Sequence, residues 1–412
     1  MLCTPEQALR QARRAADRIC SQAEPHGGGV VWRSTYYVGK GIVGRDVNTG
    51  MAGTVLALAE LADELASTRH SDVLARGALR LSELPALPGD EPAGLYVGEA
   101  GIAAALLRTG QVLDDRALVE VANARTHLLA GRPVQSPDLF HGAAGRLLVH
   151  LLLWDETGDP AQLGHAVAMG DALLESREGG PGEARWRIPA GYGELSGRCY
   201  LGYAHGAAGI ADALLDLFEA TGHDRYIDTA VDAMRWIADA GVPVLADGSG
   251  LGWPATEEGA LYPAFWCHGA TGIGRLFLHA WRLDAFARAP ALVRGAARSA
   301  AWGARWSAPT LCHGLAGNAE LLLDVASWTG ERDLFDRAHE LMELASAFAV
   351  DSDDGHAWIS EAPRRITPDY LVGYAGIALV VLRLGRPERV HLMSRAGFAY
   401  RSRRVGGAPG AR

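Results

Sequence analysis

"HGAAGIADALLDLF", residues 205–218, opens with two glycines three positions apart and runs on into apolar residues. The same frame returns six more times. It reads TGMAGTVLALAEL from Thr49, VGEAGIAAALL from Val97, HGAAGRLLVHLLL from His141, HGATGIGRLFLHAW from His268, HGLAGNAELLLDVA from His313 and VGYAGIALVVLRL from Val372. The first glycines are Gly50, Gly98, Gly142, Gly206, Gly269, Gly314 and Gly373, between 44 and 64 residues apart. Periods of this size mark a repeat architecture. Each copy reads as the start of a helix, because glycines permit a tight turn and let neighbouring backbones approach. The runs that follow are apolar nearly all round, so these helices are expected to be buried.

Between the copies lie amphipathic segments. In "DLFDRAHELMELASAF", Leu334, Ala338, Leu341, Ala345 and Phe348 keep helical spacing. Seven such outer helices are expected, near residues 5–23, 69–84, 115–129, 160–176, 224–240, 285–301 and 332–349. The first begins with Thr4 at the N-cap and Pro5 at the first helical position, so the N-terminus reads as a helix rather than a signal peptide. Seven buried and seven amphipathic helices predict an all-α fold, a double-layered α/α toroid closed on itself. The expected domain is single, over residues 1–400, with its repeats between 45 and 385 and an unstructured tail at 401–412. Residues 177–204, 241–266 and 351–371 read as long loops over one end of the ring, with short β-like runs such as "ARWRIP" and "HAWIS".

Composition narrows the function. Of 412 residues, 49% are apolar and only 21% charged, which supplies a large core and argues against disorder. The net charge is −9 and Lys40 is the only lysine. No basic block appears before "RSRRVGGAPGAR" at the C-terminus, so nucleic acid is not an expected partner. No apolar run is long enough to cross a bilayer. The five cysteines, Cys3, Cys20, Cys199, Cys267 and Cys312, are too few and too scattered for a disulfide framework and fit metal or thiol chemistry better.

Two of those cysteines carry the chemistry. "FWCHGATGIG" and "TLCHGLAGNA" place Cys-His-Gly twice in one frame of the repeat. Neighbouring repeats in a ring bring Cys267 and Cys312 to one end of the barrel. Two thiols and one or two imidazoles make a soft site that suits Zn2+. The candidates are Cys267, His268, Cys312 and His313. Three protein ligands leave a position for substrate, and four close the site. Such a site favours activation of a further thiol, since the thiolate is the nucleophile.

The seven G-x-x-G helices with their paired CHG motifs resemble the lanthionine synthetase C-like family over about residues 45 to 385. The resemblance implies a zinc held by Cys267, Cys312 and His313. It implies a cyclase that adds peptide cysteines to dehydroalanine or dehydrobutyrine, giving lanthionine thioether rings. It places His205, in "GYAHGAAG", as a proton-handling histidine, and Asp138, in "DLFHG", as its support. That chemistry needs a proton donor, because conjugate addition leaves an enolate. His141 and His268 share the frame of His205 and His313 and are expected to contact substrate, while Tyr203 and Trp266 are expected to pack. One departure stands out: some relatives keep an arginine four residues before the first zinc cysteine, where this chain has Pro263.

The length leaves no room for a dehydratase module. The expected partners are therefore a dehydrated precursor peptide, a separate dehydratase and an exporter. The expected location is the cytoplasm, with any membrane association made through a synthetase complex. Two alternatives use the same site: addition of a small thiol such as glutathione to dehydrated proteins, and a zinc-bearing scaffold. An α/α-barrel carbohydrate enzyme would need paired acids where this chain offers Cys and His.

Overall fold

The computed structural model describes residues 4–37, 41–86, 91–303, 305–362, 364–389 and 391. The expected tail at 401–412 lies outside them. Each glycine pair does open a helix. The inner helices are α2 (Met51–Leu65), α4 (Glu99–Leu113), α6 (Ala143–Thr157), α8 (Ala207–Thr221), α10 (Ala270–Arg282), α12 (Leu315–Thr329) and α14 (Tyr374–Gly385). The outer helices are α1 (Pro5–Ser21), α3 (Thr68–Ser82), α5 (Arg116–Ala130), α7 (Pro160–Glu175), α9 (Asp224–Asp239), α11 (Ala289–Trp302) and α13 (Arg332–Ser346). These match the expected segments to within a few residues, α11 starting four residues late.

Why the glycines recur is visible at the turns. In the fifth repeat a methyl group on Gly269 would overlap the carbonyl of Pro263, and one on Gly272 would overlap the carbonyl of Trp266. The same two overlaps, each with the carbonyl six residues back, recur at Gly314 and Gly317. The chain thus folds back over its own helix start too closely for any side chain.

Each inner helix packs on the next, and α14 packs on α2, so the inner layer closes. Six outer helices pack on the inner helix before them. The seventh, α1, packs on α14, so the first and last of the described helices form one repeat. Helix α1 is held by a full capping box between Thr4 and Gln7. The turn layer is closed as well, by backbone hydrogen bonds that pass from repeat to repeat. Asn48 N–H donates to Tyr96, Tyr96 to Phe140, Phe140 to Ala204 and Ala204 to Cys267. Trp266 N–H then donates to Cys312, Cys312 to Leu371 and Leu371 back to Asn48. Cys267 and Cys312 are therefore adjacent links of one cyclic belt.

Two features depart from the sequence reading. First, the inner helices carry charge inside the ring. Arg383 lies 2.8 Å from both Glu320 and Asp324, and His279 lies 2.6 Å from Asp212 and 3.0 Å from Glu219, all substantially buried. Pairing is what lets such groups stay in a low-dielectric interior. Second, three short antiparallel hairpins interrupt the helices: β1 (Glu24–His26) with β2 (Gly29–Val31), β3 (Val242–Pro243) with β4 (Leu251–Gly252), and β5 (Ala349–Ser352) with β6 (Gly355–Trp358). "HAWIS" overlaps β6, whereas "ARWRIP" forms only isolated bridges, such as Arg187 with Cys199. Tryptophans pin these segments to the outer layer. The indole N–H groups of Trp32, Trp186 and Trp253 donate to the carbonyls of Ile19, Leu173 and Ile237, near the ends of α1, α7 and α9, at 2.7–2.8 Å. The loops 177–204 and 241–266 are thereby tied to α7 and α9.

Candidate metal centre and proton site

The turns before α10 and α12 bring Cys267, Cys312 and His313 together, with one donor atom of each within 4.8 Å of the others. Cys312 Sγ and His313 Nε2 are 3.5 Å apart. A tetrahedral zinc with ordinary Zn–S and Zn–N bonds separates such a pair by about 3.6 Å, so the donor set fits the ion in type and spacing. His313 Nδ1 donates to the carboxylate of Glu361, 2.9 Å from each oxygen. That bond turns Nε2 toward the thiols and is the usual outer partner of a metal-binding imidazole. Glu361 is itself held by the hydroxyls of Tyr36 and Thr310.

The electrostatics follow from this packing. Burial pushes the Cys267 thiol up, but hydrogen bonds from Cys312 and His313 outweigh it and hold the group well below the ordinary thiol range. Burial works against charge on His313, yet Cys267 and Glu361 together raise it to about 10. The pocket is therefore built to hold negative sulfur beside positive charge, before any ion is counted.

A second cluster sits beside the first. Asp138, fully buried, accepts from His205 Nδ1 at 2.8 Å, His141 N–H at 2.9 Å, Ser136 Oγ at 3.1 Å and His141 Nδ1 at 3.2 Å. Burial opposes its charge, but the two imidazoles hold its carboxyl far below the usual carboxylate range. Because Nδ1 of His205 faces Asp138, its Nε2 is the nitrogen free to exchange a proton. The His141 and His205 rings are stacked at 5.1 Å.

His268 joins the two clusters. Its ring lies 5.5 Å from that of His205 and 5.1 and 5.2 Å from those of Tyr200 and Tyr262. Burial lowers its pKa to about 4, so the ring is neutral near pH 7. It is not part of the three-donor group. Trp266, next to Cys267 in the chain, packs on Tyr96 and Tyr203. Pro263 contributes its carbonyl to the space under Gly269.

The sequence profile described as "Lanthionine synthetase C-like protein" matches residues 41–394. The chain belongs to this family. Among solved structures, "Nisin cyclase" superposes with a TM-score of 0.58 at 20% identity, covering 82% of this chain and 88% of that one. A sugar epimerase from a ruminal bacterium superposes with a TM-score of 0.52 at 11% identity, covering 93% and 100%. Both likenesses are of fold. No curated protein sequence matches. Among the described residues no helix is long and apolar enough to cross a membrane.

Sequence reasoning overlooked Glu361, Tyr262 and Tyr36. Glu361 sits in the 351–371 loop, and its one signal was a carboxylate in a long segment leading into a repeat. Tyr36 precedes the first repeat and carried no signal.

Proposed function

We propose that this member of the lanthionine synthetase C-like family is a zinc-dependent peptide cyclase. Its reaction adds cysteine thiols to dehydroalanine or dehydrobutyrine within a dehydrated precursor peptide. The observation that carries this reading is the convergence of Cys267, Cys312 and His313 beside the Asp138–His205 pair. Cys267, Cys312 and His313 would hold the ion, which supplies a Lewis acid that keeps a peptide thiol deprotonated at neutral pH.

The chain's own residues then account for the proton. The substrate sulfur forms a bond to the β-carbon of the dehydro residue. The π pair moves to the α-carbon and its carbonyl, giving an enolate. His205, protonated, delivers a proton from Nε2 to the α-carbon, and Asp138 balances the imidazolium at Nδ1. The net change is addition of S–H across C=C. Neutral His268, between the two clusters, and His141, stacked on His205, contact the peptide. Pro263 offers no charge to the enolate, which leaves that task to His205. A separate dehydratase must supply the substrate, since dehydro residues are required at the start.

Ring closure leaves the mass unchanged but removes free thiols. The test is therefore maleimide capture of a dehydrated cysteine-bearing peptide, read by mass, with the zinc-loaded parent and with Cys312→Ala. Rapid loss of capture with the parent alone is expected. A zinc-loaded parent that leaves the thiols as reactive as buffer does would overturn the proposal.

A further inference from the structure

Conjugate addition leaves an α-carbon that needs a proton and a carbonyl oxygen that carries negative charge. His205 answers the first need. The second calls for a hydrogen-bond donor aimed at the oxygen. Several donors near the two clusters are already committed. His141 and His205 give their Nδ1 hydrogens to Asp138. Tyr200 gives its hydroxyl hydrogen to the carbonyl of Glu194 at 3.3 Å, and Tyr36 gives its own to Glu361 at 3.1 Å. Tyr262 turns its hydroxyl to the sulfur of Cys267.

The His268 ring is fixed by packing alone. Its backbone lies against Gly202, where a methyl group would overlap the Cα of His268 and the carbonyl of Cys267. The Tyr200 ring packs on it at 5.1 Å, and the Tyr262 ring meets it edge-on at 5.2 Å. Tyr262 is in turn anchored by its N–H, which donates to the Trp253 carbonyl at 3.0 Å. Nδ1 of His268 is enclosed and has no hydrogen-bond partner among the described residues. A hydrogen there would be buried with nothing to accept it, so the hydrogen of the neutral ring sits on Nε2. The residue is nonetheless only partly buried. With its backbone and Nδ1 both covered, the open edge is the one that carries Nε2.

That edge belongs to the space between the clusters. The groups that act on the ring through their charge are Cys267, His205 and His313. Its centre lies 5.5 Å from that of His205, and Cys267 is its neighbour in the chain. A dehydro residue must meet the attacking sulfur with its β-carbon and His205 Nε2 with its α-carbon. It therefore lies across His268, and its carbonyl oxygen is only two bonds from the α-carbon.

We propose that His268 Nε2–H donates a hydrogen bond to the carbonyl oxygen of the dehydro residue and holds the enolate that forms. The hydrogen stays on the nitrogen, so no proton moves at this atom. Nε2 carries a hydrogen in the neutral and the charged ring alike, so donation does not depend on the charge of His268. This role presupposes the cyclase reaction, and it gives the enolate oxygen a partner in a chain that has Pro263 in place of a cation.

The experiment compares the zinc-loaded parent with His268→Leu and His268→Gln on a dehydrated cysteine-bearing peptide, with zinc counted and helical melting followed on every sample. Leucine offers no donor. The glutamine amide returns an N–H near the place of Nε2 but cannot deliver a proton. His268→Leu is expected to lower kcat roughly 100- to 1000-fold with KM little changed, and His268→Gln to recover most of that loss. His268→Asn, whose amide reaches only the place of Nδ1, serves as the donor-less variant if His268→Leu does not fold. Zinc should stay at the parent's count throughout. A donor-less variant with the parent's kcat would overturn the role. So would a His268→Gln as slow as the donor-less variant, which would make His268 a source of protons. Zinc lost from a variant that melts like the parent would also overturn it, by making His268 a ligand. A zinc-loaded parent that adds no thiol would overturn the cyclase reading and this role with it, whereas the other failures leave the cyclase standing.

Discussion

Asp138→Asn tests the proton site most sharply. The substitution keeps the volume and an acceptor oxygen, which still serves His141 N–H and Ser136. The second oxygen becomes an NH2 group that faces His205 Nδ1, now 2.8 Å from a carboxylate. A donor then meets a donor whenever His205 is protonated. The lost bond is charge-assisted and shielded, with Asp138 and His205 side chains 1% and 11% exposed. Such bonds contribute about 1.5–3 kcal/mol. If that stabilisation is needed when His205 gives up its proton, the ring-closing rate falls roughly 10- to 150-fold. The zinc count should not change, because Asp138 touches none of the three donors. The assay is the rate of thiol loss from a dehydrated peptide, with zinc measured on the same samples. An unaltered rate at full zinc occupancy would refute the assignment of His205 and Asp138. A rate lost together with the zinc would refute the separation of the two clusters.

Other outcomes follow from the same geometry. Glu361→Gln should weaken zinc retention against a chelator by about 10- to 100-fold, since a neutral amide orients His313 less firmly. Buried His279 feels desolvation, yet Asp212 and Glu219 raise its pKa to about 9. A raised histidine contributes stability that is complete below its ordinary value near 6.5 and is lost as pH rises through about 9. The parent should therefore lose stability across that window, at most about 1.4 kcal/mol per pH unit, and His279→Gln should lose less. Arg383→Met removes the cation 2.8 Å from buried Glu320 and Asp324 and leaves them only the more distant Arg275, 3.9 Å from Asp324, so denaturant unfolding should show a loss of about 3–5 kcal/mol. A change under 1 kcal/mol would mean that the interior charges have other compensation.

Much of the architecture was legible because one steric rule is repeated. A glycine that must pass over a backbone carbonyl leaves the same mark in every repeat, and seven marks at helix starts define a ring. The cysteines were legible for a related reason, since only two repeats place a thiol before the glycine. The buried charges were harder to read. Asp212, Arg275 and Glu320 sit in apolar runs, and their ion-pair partners come from the neighbouring inner helix. Of the hairpins only "HAWIS" in β6 left a β-like mark; strands of two to four residues leave too little alternation to detect. Glu361 escaped because its role depends on how a loop folds over the next turn. The tryptophans that hold those loops gave composition but no register.

The cyclic hydrogen-bond belt has a consequence for how the protein is made. Its last link joins Leu371 to Asn48. The ribosome delivers these residues far apart in time, so the nascent chain is an open horseshoe until the final repeat emerges. Helix α2 must wait with one apolar flank exposed, while Cys267 and Cys312 already stand side by side. Closure is therefore a late, long-range event of the kind that slows folding. Truncations near the C-terminus should yield aggregation-prone arcs rather than smaller rings, and a circular permutant cut between α1 and α2 should spare α1 its wait for α14 while leaving α2 to wait as before.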